Sequence, residues 1–187
     1  MGIMGVKQRF LAMAQAIFRP KGVLKFGIRN HYHVECFGPD GVLKWADDAY
    51  NLVVNVGLDE YLQRIWKSST FTASDFVGLT DAAPTIAAAD TMASHAGWVE
   101  LVPYSEGTRE AFTPGTVASQ SVDNAASKAS FSITSTATIG GCFASDNSTK
   151  SGTAGILIGV AAFSGGDKAV ANLDTLNVTL TSTAASP

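Results

Sequence analysis

Three residues near the middle of the chain, Asp90, Ser94 and His95, are of the types that could form a catalytic site. A histidine can activate a serine hydroxyl as general base, and a carboxylate can orient the histidine. The pattern supplies no oxyanion donor beside them, which acyl transfer requires. The sequence also has no nucleophile elbow, Walker A loop, dinucleotide-binding fingerprint or zinc-protease motif. We therefore predict that the protein is not an enzyme.

A second set of residues is of the types that bind metal ions. His31, His33 and Glu35 alternate along the chain, so a strand would place them on one face. Two histidines without a third ligand are a weak zinc signal, and a solvated face is the favoured interpretation. The pair Asp47 and Asp48 lacks the regular oxygen spacing of a calcium loop. We predict neither a metal nor a cofactor.

Charge is distributed unevenly along the chain. Of the 13 Lys and Arg residues in the 187-residue sequence, six fall within the first 30 residues, and the first acidic residue is Glu35. The first 30 residues carry +6, while the other 7 basic and 16 acidic residues give −9, which together make the net charge of −3. Basic segments of this kind bind nucleic acid, anionic lipid or acidic protein surfaces. Phosphate binding needs cations, so the anionic remainder disfavours nucleic acid, which only the basic segment could contact.

The basic segment also has the pattern of an amphipathic helix. The apolar residues that share one face within residues 3–18 are Val6, Phe10, Met13 and Ile17. The apolar stretch after Arg9 is shorter than a secretory signal needs, so we expect no cleavage. We predict a helical arm over residues 1–30 that contacts either a neighbouring subunit or its own domain. The arm residues expected to bind a partner are Lys7, Arg9, Phe10, Arg19, Lys21, Lys25 and Arg29.

Residues 31–187 have the pattern of one mainly β domain. Short apolar runs that alternate with Ser and Thr are separated by turns rich in Gly, Asn and Asp, which is typical of an antiparallel β-sandwich or jelly roll. No apolar run reaches 18 residues, which argues against a membrane-spanning helix. The predicted strands are 31–37, 42–46, 52–56, 74–79, 98–102, 110–113, 129–135, 137–144, 155–163 and 175–183. The first two should form a hairpin through Gly38-Pro39-Asp40-Gly41.

One helix is predicted within this domain, over residues 57–67, with Asp59 and Glu60 in its first turn. Its apolar residues at helical spacing are Leu58, Tyr61, Leu62, Ile65 and Trp66. We expect this face to be buried against the sheet. Cys36 and Cys142 are far apart in sequence, and we predict two reduced core residues and no disulfide.

Two long segments, residues 80–97 and 103–128, are weakly structured by pattern. A short helix is expected near residues 88–94. Long loops often carry binding surfaces, so these segments are candidates for contacts with other subunits. The residues predicted to make such contacts are Met92, His95, Trp98 and Tyr104.

Several segments resemble a family of small proteins of tailed bacteriophages and prophages. They are residues 51–58 (NLVVNVGL), 76–79 (FVGL), 89–98 (ADTMASHAGW), 112–115 (FTPG) and 173–180 (LDTLNVTL). The resemblance covers about residues 31–185 and leaves out the basic arm. It implies a virion structural component and transfers no catalytic residues.

Charge pattern and resemblance together predict a capsid cement or decoration protein, located in the virion. Such a protein would bind the major capsid protein or other virion subunits and form a homo-oligomer, without a membrane. A head-to-tail or tail component is one alternative. A receptor- or glycan-binding tail module is another, in which Trp98 or Tyr104 would stack on sugars.

Overall fold

A computed structural model gives the fold of residues 27–67 and 75–185, the part of the chain that the structure describes. This part is mainly β, with antiparallel sheets and one helix, which confirms the predicted β-sandwich class. The predicted arm helix lies outside the described residues. The elements in chain order are β1 (Gly27–Phe37), β2 (Leu43–Tyr50), β3 (Leu52–Val53), α1 (Asn55–Trp66), β4 (Asp75–Thr80), β5 (Glu100–Leu101), β6 (Glu110–Phe112), β7 (Ser121–Asp123), β8 (Ala129–Ser132), β9 (Ala137–Ile139), β10 (Gly141–Ser145), β11 (Leu157–Ala162), β12 (Lys168–Val170) and β13 (Thr175–Ala185).

Two main sheets form the sandwich. The first has the strand order β2-β1-β13-β7, and β8 also pairs with β13. The second has the order β3-β11-β10-β4-β5, and β6 also pairs with β4. Strands β9 and β12 form a small third sheet. A single bridge joins Ala49 of β2 to Phe163, which directly follows β11. A second bridge joins Tyr104 to Ile133, which directly follows β8.

Apolar side chains cover both faces of the second sheet. Successive residues of a strand point to opposite faces, so Cys142 and Ala144 enter the larger core while Phe143 joins a smaller cluster on the other face. This burial on both faces explains why β10 and β11 are nearly continuous buried runs. The smaller cluster consists of Val54, Met92, Trp98, Phe143, Leu157 and Val160. Both cysteines are buried and free.

The hairpin between β1 and β2 forms as its turn residues predict. The Gly38 amide donates to the carbonyl of Val42 at 2.9 Å, and the Gly41 amide donates to Gly38 at 2.9 Å. Gly41 has a φ of 75°, which a residue without Cβ adopts readily. The Asp40 carboxylate accepts the amide of Val42 at 3.0 Å and closes the turn.

Other local predictions need correction. Residues 27–30, assigned to the arm, belong to β1. The predicted third strand keeps only Leu52–Val53, because the helix begins at Asn55, which also moves Asp59 and Glu60 out of its first turn. No helix forms over residues 88–94, where turns surround a bridge between Thr91 and Ser94. Gly140 separates the predicted strand 137–144 into β9 and β10, which lie in different sheets. The short strands β7 and β12 were not predicted.

Candidate functional site

Two of the three residues considered for catalysis, Asp90 and His95, hold Trp98 in place. Asp90 accepts a hydrogen bond from the Trp98 indole at 3.1 Å and another from the amide of Ala87 at 3.0 Å. His95 Nδ1 lies 2.9 Å from the carbonyl oxygen of Trp98 and therefore carries a proton, and its ring stacks on the indole at 3.9 Å between centroids. Ser94 lies in the adjacent turn. Within residues 27–67 and 75–185 no hydrogen bond or ion pair joins the His95 side chain to Asp90 or Ser94, and the arrangement fixes Trp98 on the sheet.

A buried ion pair that the sequence did not reveal fixes the neighbouring loops. Arg109 donates to both carboxylate oxygens of Glu100, at 2.9 and 2.6 Å, and its side chain is fully buried. The same guanidinium donates to the carbonyls of Asn147 and Gly152, at 2.8 and 3.0 Å, and lies 5.1 Å from the ring centroid of Phe143. Charge-assisted, bidentate bonds of this kind are strong and directional. They bind residues 147–152 firmly to the second sheet.

A small cavity of about 150 Å³ lies beside this ion pair. Ser151 donates its amide to Glu100 at 2.9 Å, so the Glu100 carboxylate already has partners on both oxygens. The residues that line the cavity are His95, Val99, Glu100, Ser151, Gly152 and Thr153. We assign no ligand to it.

The two histidines considered for metal binding contact one aspartate of the neighbouring strand. His31 Nε2 lies 2.8 Å from Asp48 Oδ1, and His33 Nδ1 lies 3.0 Å from the same oxygen. The hydrogen bond from His33 lowers the pKa of Asp48; burial opposes this effect, and His31 adds to it. Glu35 instead pairs with Lys128 at 2.5 Å. Among residues 27–67 and 75–185 no group of three or more metal-ligand residues is arranged to hold an ion.

Helix α1 packs on the second sheet through a small residue and polar side chains. Gly57 is its buried position, and a Cβ there would overlap the carbonyl oxygen of Ile158 in β11. Arg64 donates to Glu60 at 2.8 Å and to Asp75 of β4 at 3.1 and 3.2 Å. Tyr61 packs against the larger core from the same side of the helix. Of the predicted apolar face, Tyr61 alone therefore takes part in holding the helix close to the sheet.

The prediction that the apolar face of this helix is buried holds for Tyr61 and is wrong for its other four residues. Leu58, Leu62, Ile65 and Trp66 are 43%, 56%, 60% and 78% exposed. Because a helix turns 100° per residue, these four side chains form one stripe beside the packing side. A shallow groove at one edge of the stripe is lined by Leu62 and Trp66 together with Asp59, Gln63 and Lys67. We call Leu58, Asp59, Leu62, Gln63, Ile65, Trp66 and Lys67 the α1 surface; it is the candidate functional site.

The structure places the predicted contact residues differently from expectation. Met92, Trp98 and Tyr104 are 1%, 2% and 3% exposed, so their side chains are unavailable to a partner, and no aromatic face remains there for a sugar. His95 is half-buried in its stack on Trp98. Arg29 is exposed on β1. The remaining arm residues, Lys7, Arg9, Phe10, Arg19, Lys21 and Lys25, lie outside the described part of the chain.

Comparison with known proteins adds no relative. No protein-family model, curated protein or solved structure matches the chain. In the described ranges, none of the helical structure is long and apolar enough to span a bilayer.

Proposed function

We propose that this chain is a non-enzymatic structural protein of a bacteriophage virion, and specifically a capsid cement or decoration protein that binds the major capsid protein. The observation that carries the proposal is the separation of charge, +6 in residues 1–30 against −9 in the rest. A cationic segment attached to an anionic body is suited to bind an acidic neighbour, because complementary charge steers association and selects the partner. We propose the bacteriophage virion as its location because the sequence resembles a family of bacteriophage proteins.

The body has features that suit a protein held in a larger assembly. Its long segments are held to the sheets by buried polar groups, such as the pairs Arg109–Glu100 and Trp98–Asp90. A preorganised body loses little conformational freedom when it binds, so more of the contact energy appears as affinity. The α1 surface gives it an apolar face, which is typical of protein-protein contact sites.

Binding to empty capsid shells tests the role of the basic arm. The charge-removing variant carries Lys7→Gln, Lys21→Gln and Lys25→Gln, and the matched control carries Lys→Arg at the same three positions. If charge drives attachment, the Gln variant cosediments with shells more weakly than the wild type, and the Arg variant binds normally. Raising the salt concentration should weaken wild-type binding, because exposed charges are screened within about 8–10 Å at 0.1–0.15 M salt. Equal, salt-independent binding of all three proteins would contradict the proposal.

Copy number in purified particles distinguishes the possible positions in the virion. Many copies spread over the shell fit a cement protein. A single ring of copies at one vertex would instead indicate a head-to-tail or tail component. Absence from mature particles, or turnover of a substrate by the purified protein, would contradict a structural role in the virion altogether.

A further inference from the structure

Helix α1 is held firmly on the sheet over its first half, residues 55–61. Val54, directly before the helix, is fully buried in the smaller cluster. Gly57 lies against the backbone of Ile158 in β11, and Tyr61 packs against the larger core. This half of the helix cannot leave the sheet without opening part of the apolar interior.

The second half of the helix, residues 62–66, approaches the sheet through Arg64. This is the one residue of these five that is not exposed. Its guanidinium donates to both carboxylate oxygens of Asp75, the first residue of β4, at 3.1 and 3.2 Å. Within residues 27–67 and 75–185 the side chains at positions 62, 63, 65 and 66 make no hydrogen bond or ion pair. The Arg64–Asp75 contact therefore joins this half of the helix to the sheet.

Residues 62–66 have little helical stability of their own. Isolated helices shorter than about 12–15 residues are marginal in water and depend on packing. Leu62, Ile65 and Trp66 are 56%, 60% and 78% exposed, so their side chains add little packing. Bidentate bonds between a guanidinium and a carboxylate are strong and directional. The contact with Asp75 is therefore the interaction that can keep this half of the helix folded against the sheet.

We propose that the Arg64–Asp75 contact is a clasp: when it breaks, residues 62–66 detach from the sheet and unwind, while residues 55–61 stay in place. The bond from Arg64 to Glu60 at 2.8 Å lies within the helix and cannot fasten it to β4. Segments that have few buried apolar contacts open at low free energy, and elements that rearrange on binding are drawn from them. This opening is a property of the single chain and does not depend on the proposed function.

Amide hydrogen exchange of the full chain, followed by NMR, measures this opening. The amides of Trp66 and Lys67 lie in the last turn, where that of Lys67 donates to the carbonyl of Gln63 at 3.0 Å. We expect their protection factors to be about a hundredfold or more below that of Phe143 in the buried strand β10. Low urea concentrations should leave their exchange unchanged, because a local opening exposes little surface. If they are as protected as Phe143 and respond equally to urea, the segment opens only with the whole domain and the proposal is wrong.

Substitution of each carboxylate that Arg64 contacts distinguishes a clasp from ordinary fraying of a helix end. Asp75→Asn removes the charge on the sheet and should lower the protection of the Trp66 and Lys67 amides about tenfold or more, since hydrogen bonds to charged groups are strong. Glu60→Gln is the matched control, because its carboxylate pairs with the same guanidinium from within the helix, where such pairs contribute little. It should change the protection by less than about threefold.

The amide of Phe143 reports whether a variant acts on the whole domain. Its protection should be the same in Asp75→Asn, Glu60→Gln and the wild type. The double variant Arg64→Gln/Asp75→Asn should be no more open than Arg64→Gln, because the two residues act through their mutual contact. Equal effects of Asp75→Asn and Glu60→Gln on the last turn, or a loss of protection at Phe143 that matches the loss in the last turn, would overturn the proposal. Shell binding is measured separately, so the two proposals can fail independently.

Discussion

Residues 81–99 and helix α1 both pack against the second sheet, and they place their tryptophans in opposite ways. The loop residue Trp98 is 2% exposed, and the helical residue Trp66 is 78% exposed. The loop has the polar partners that burial of an indole requires, because Asp90 accepts its N–H and His95 stacks on its ring. The helix approaches the sheet through Gly57, too closely for a large side chain to enter.

The difference shows that burial in this domain is decided by the local fit of backbone and polar groups more than by the apolarity of a segment. The loop is a covering element of the sheet, although its composition is that of a surface connection. The helix leaves four of its apolar side chains exposed, although it has the stronger apolar pattern. Substitutions can therefore test three regions separately: the loops held by Arg109, the close contact of Gly57 with β11, and the exposed α1 surface.

The largest loss in the free energy of unfolding is expected from Arg109→Ala, which removes the guanidinium that holds residues 147–152 to Glu100. Glu100 would remain as a buried, unpaired carboxylate, and two carbonyl groups would lose their donor. Breaking a buried pair on one side costs about 3–5 kcal/mol. Urea unfolding should show this loss in the free energy of unfolding. Arg29→Ala, at an exposed position of β1, is the control and should change it by less than about 0.5 kcal/mol.

A smaller loss in the free energy of unfolding is expected from Gly57→Ala, which tests how closely α1 packs on β11. Alanine normally stabilises a helix interior relative to glycine by about 0.5–1 kcal/mol. Here its methyl group would overlap the backbone of Ile158, and overpacking costs about 1–3 kcal/mol. We expect net destabilisation in thermal or urea unfolding. Gly107→Ala, where an added Cβ meets nothing within 4 Å, should be nearly neutral; a stabilised Gly57→Ala would show that the contact is looser than described.

Asp47 is a second buried charged residue, and unlike Arg109 it can lose its charge when the pH is lowered. Burial raises the pKa of Asp47, but hydrogen bonds from Lys168, Gly165, Asp48 and Ser164 outweigh it and lower the pKa from 3.8 to about 2. A depressed carboxylate pKa gives stability that is present above the unfolded-state value and lost as pH falls through the folded-state value. The shift corresponds to about 2 kcal/mol.

The contribution of ionised Asp47 is tested by measuring the free energy of unfolding of the wild type and of Asp47→Asn as a function of pH and taking the difference. We expect a constant difference above about pH 5, which shrinks by most of about 2 kcal/mol as the pH falls from 4 to 2. Other aspartates with lowered pKa values, Asp48 and Asp174, affect both proteins alike and cancel. A difference that does not change with pH would mean that Asp47 is not stabilised as a carboxylate.

Sequence pattern predicted the features that depend on neighbours along the chain. The β1–β2 hairpin follows from Gly38-Pro39-Asp40-Gly41, and the sandwich class follows from alternation of the kind seen in β13 (Thr175–Ala185). Features that depend on distant residues were not predictable. Arg109 and Glu100 lie in weakly patterned segments, and nothing in their spacing indicates that they meet in the interior.

The error about α1 has a definite physical origin. Helical periodicity identified the apolar stripe correctly, but periodicity gives only the direction of a stripe relative to the helix axis. The side of the helix that faces the sheet is set by Gly57 and by the contacts of Arg64 with Asp75. Asp75 lies nine positions after Trp66, the last residue of the helix. A glycine within an otherwise strong helical pattern was the available signal, because it often marks a close approach of two backbones.

The smallest effect is expected from Leu62→Gln at a concentration where the chain is monomeric. Leu62 is 56% exposed, glutamine has a similar helix propensity, and no buried contact is lost, so the free energy of unfolding should change by less than about 0.5 kcal/mol. The matched core change, Leu79→Ala at a fully buried position of β4, should cost about 2–5 kcal/mol. A large loss in Leu62→Gln would mean that another part of the chain already covers the α1 surface, whereas a small one shows that this leucine contributes little to the monomer and is available to a partner.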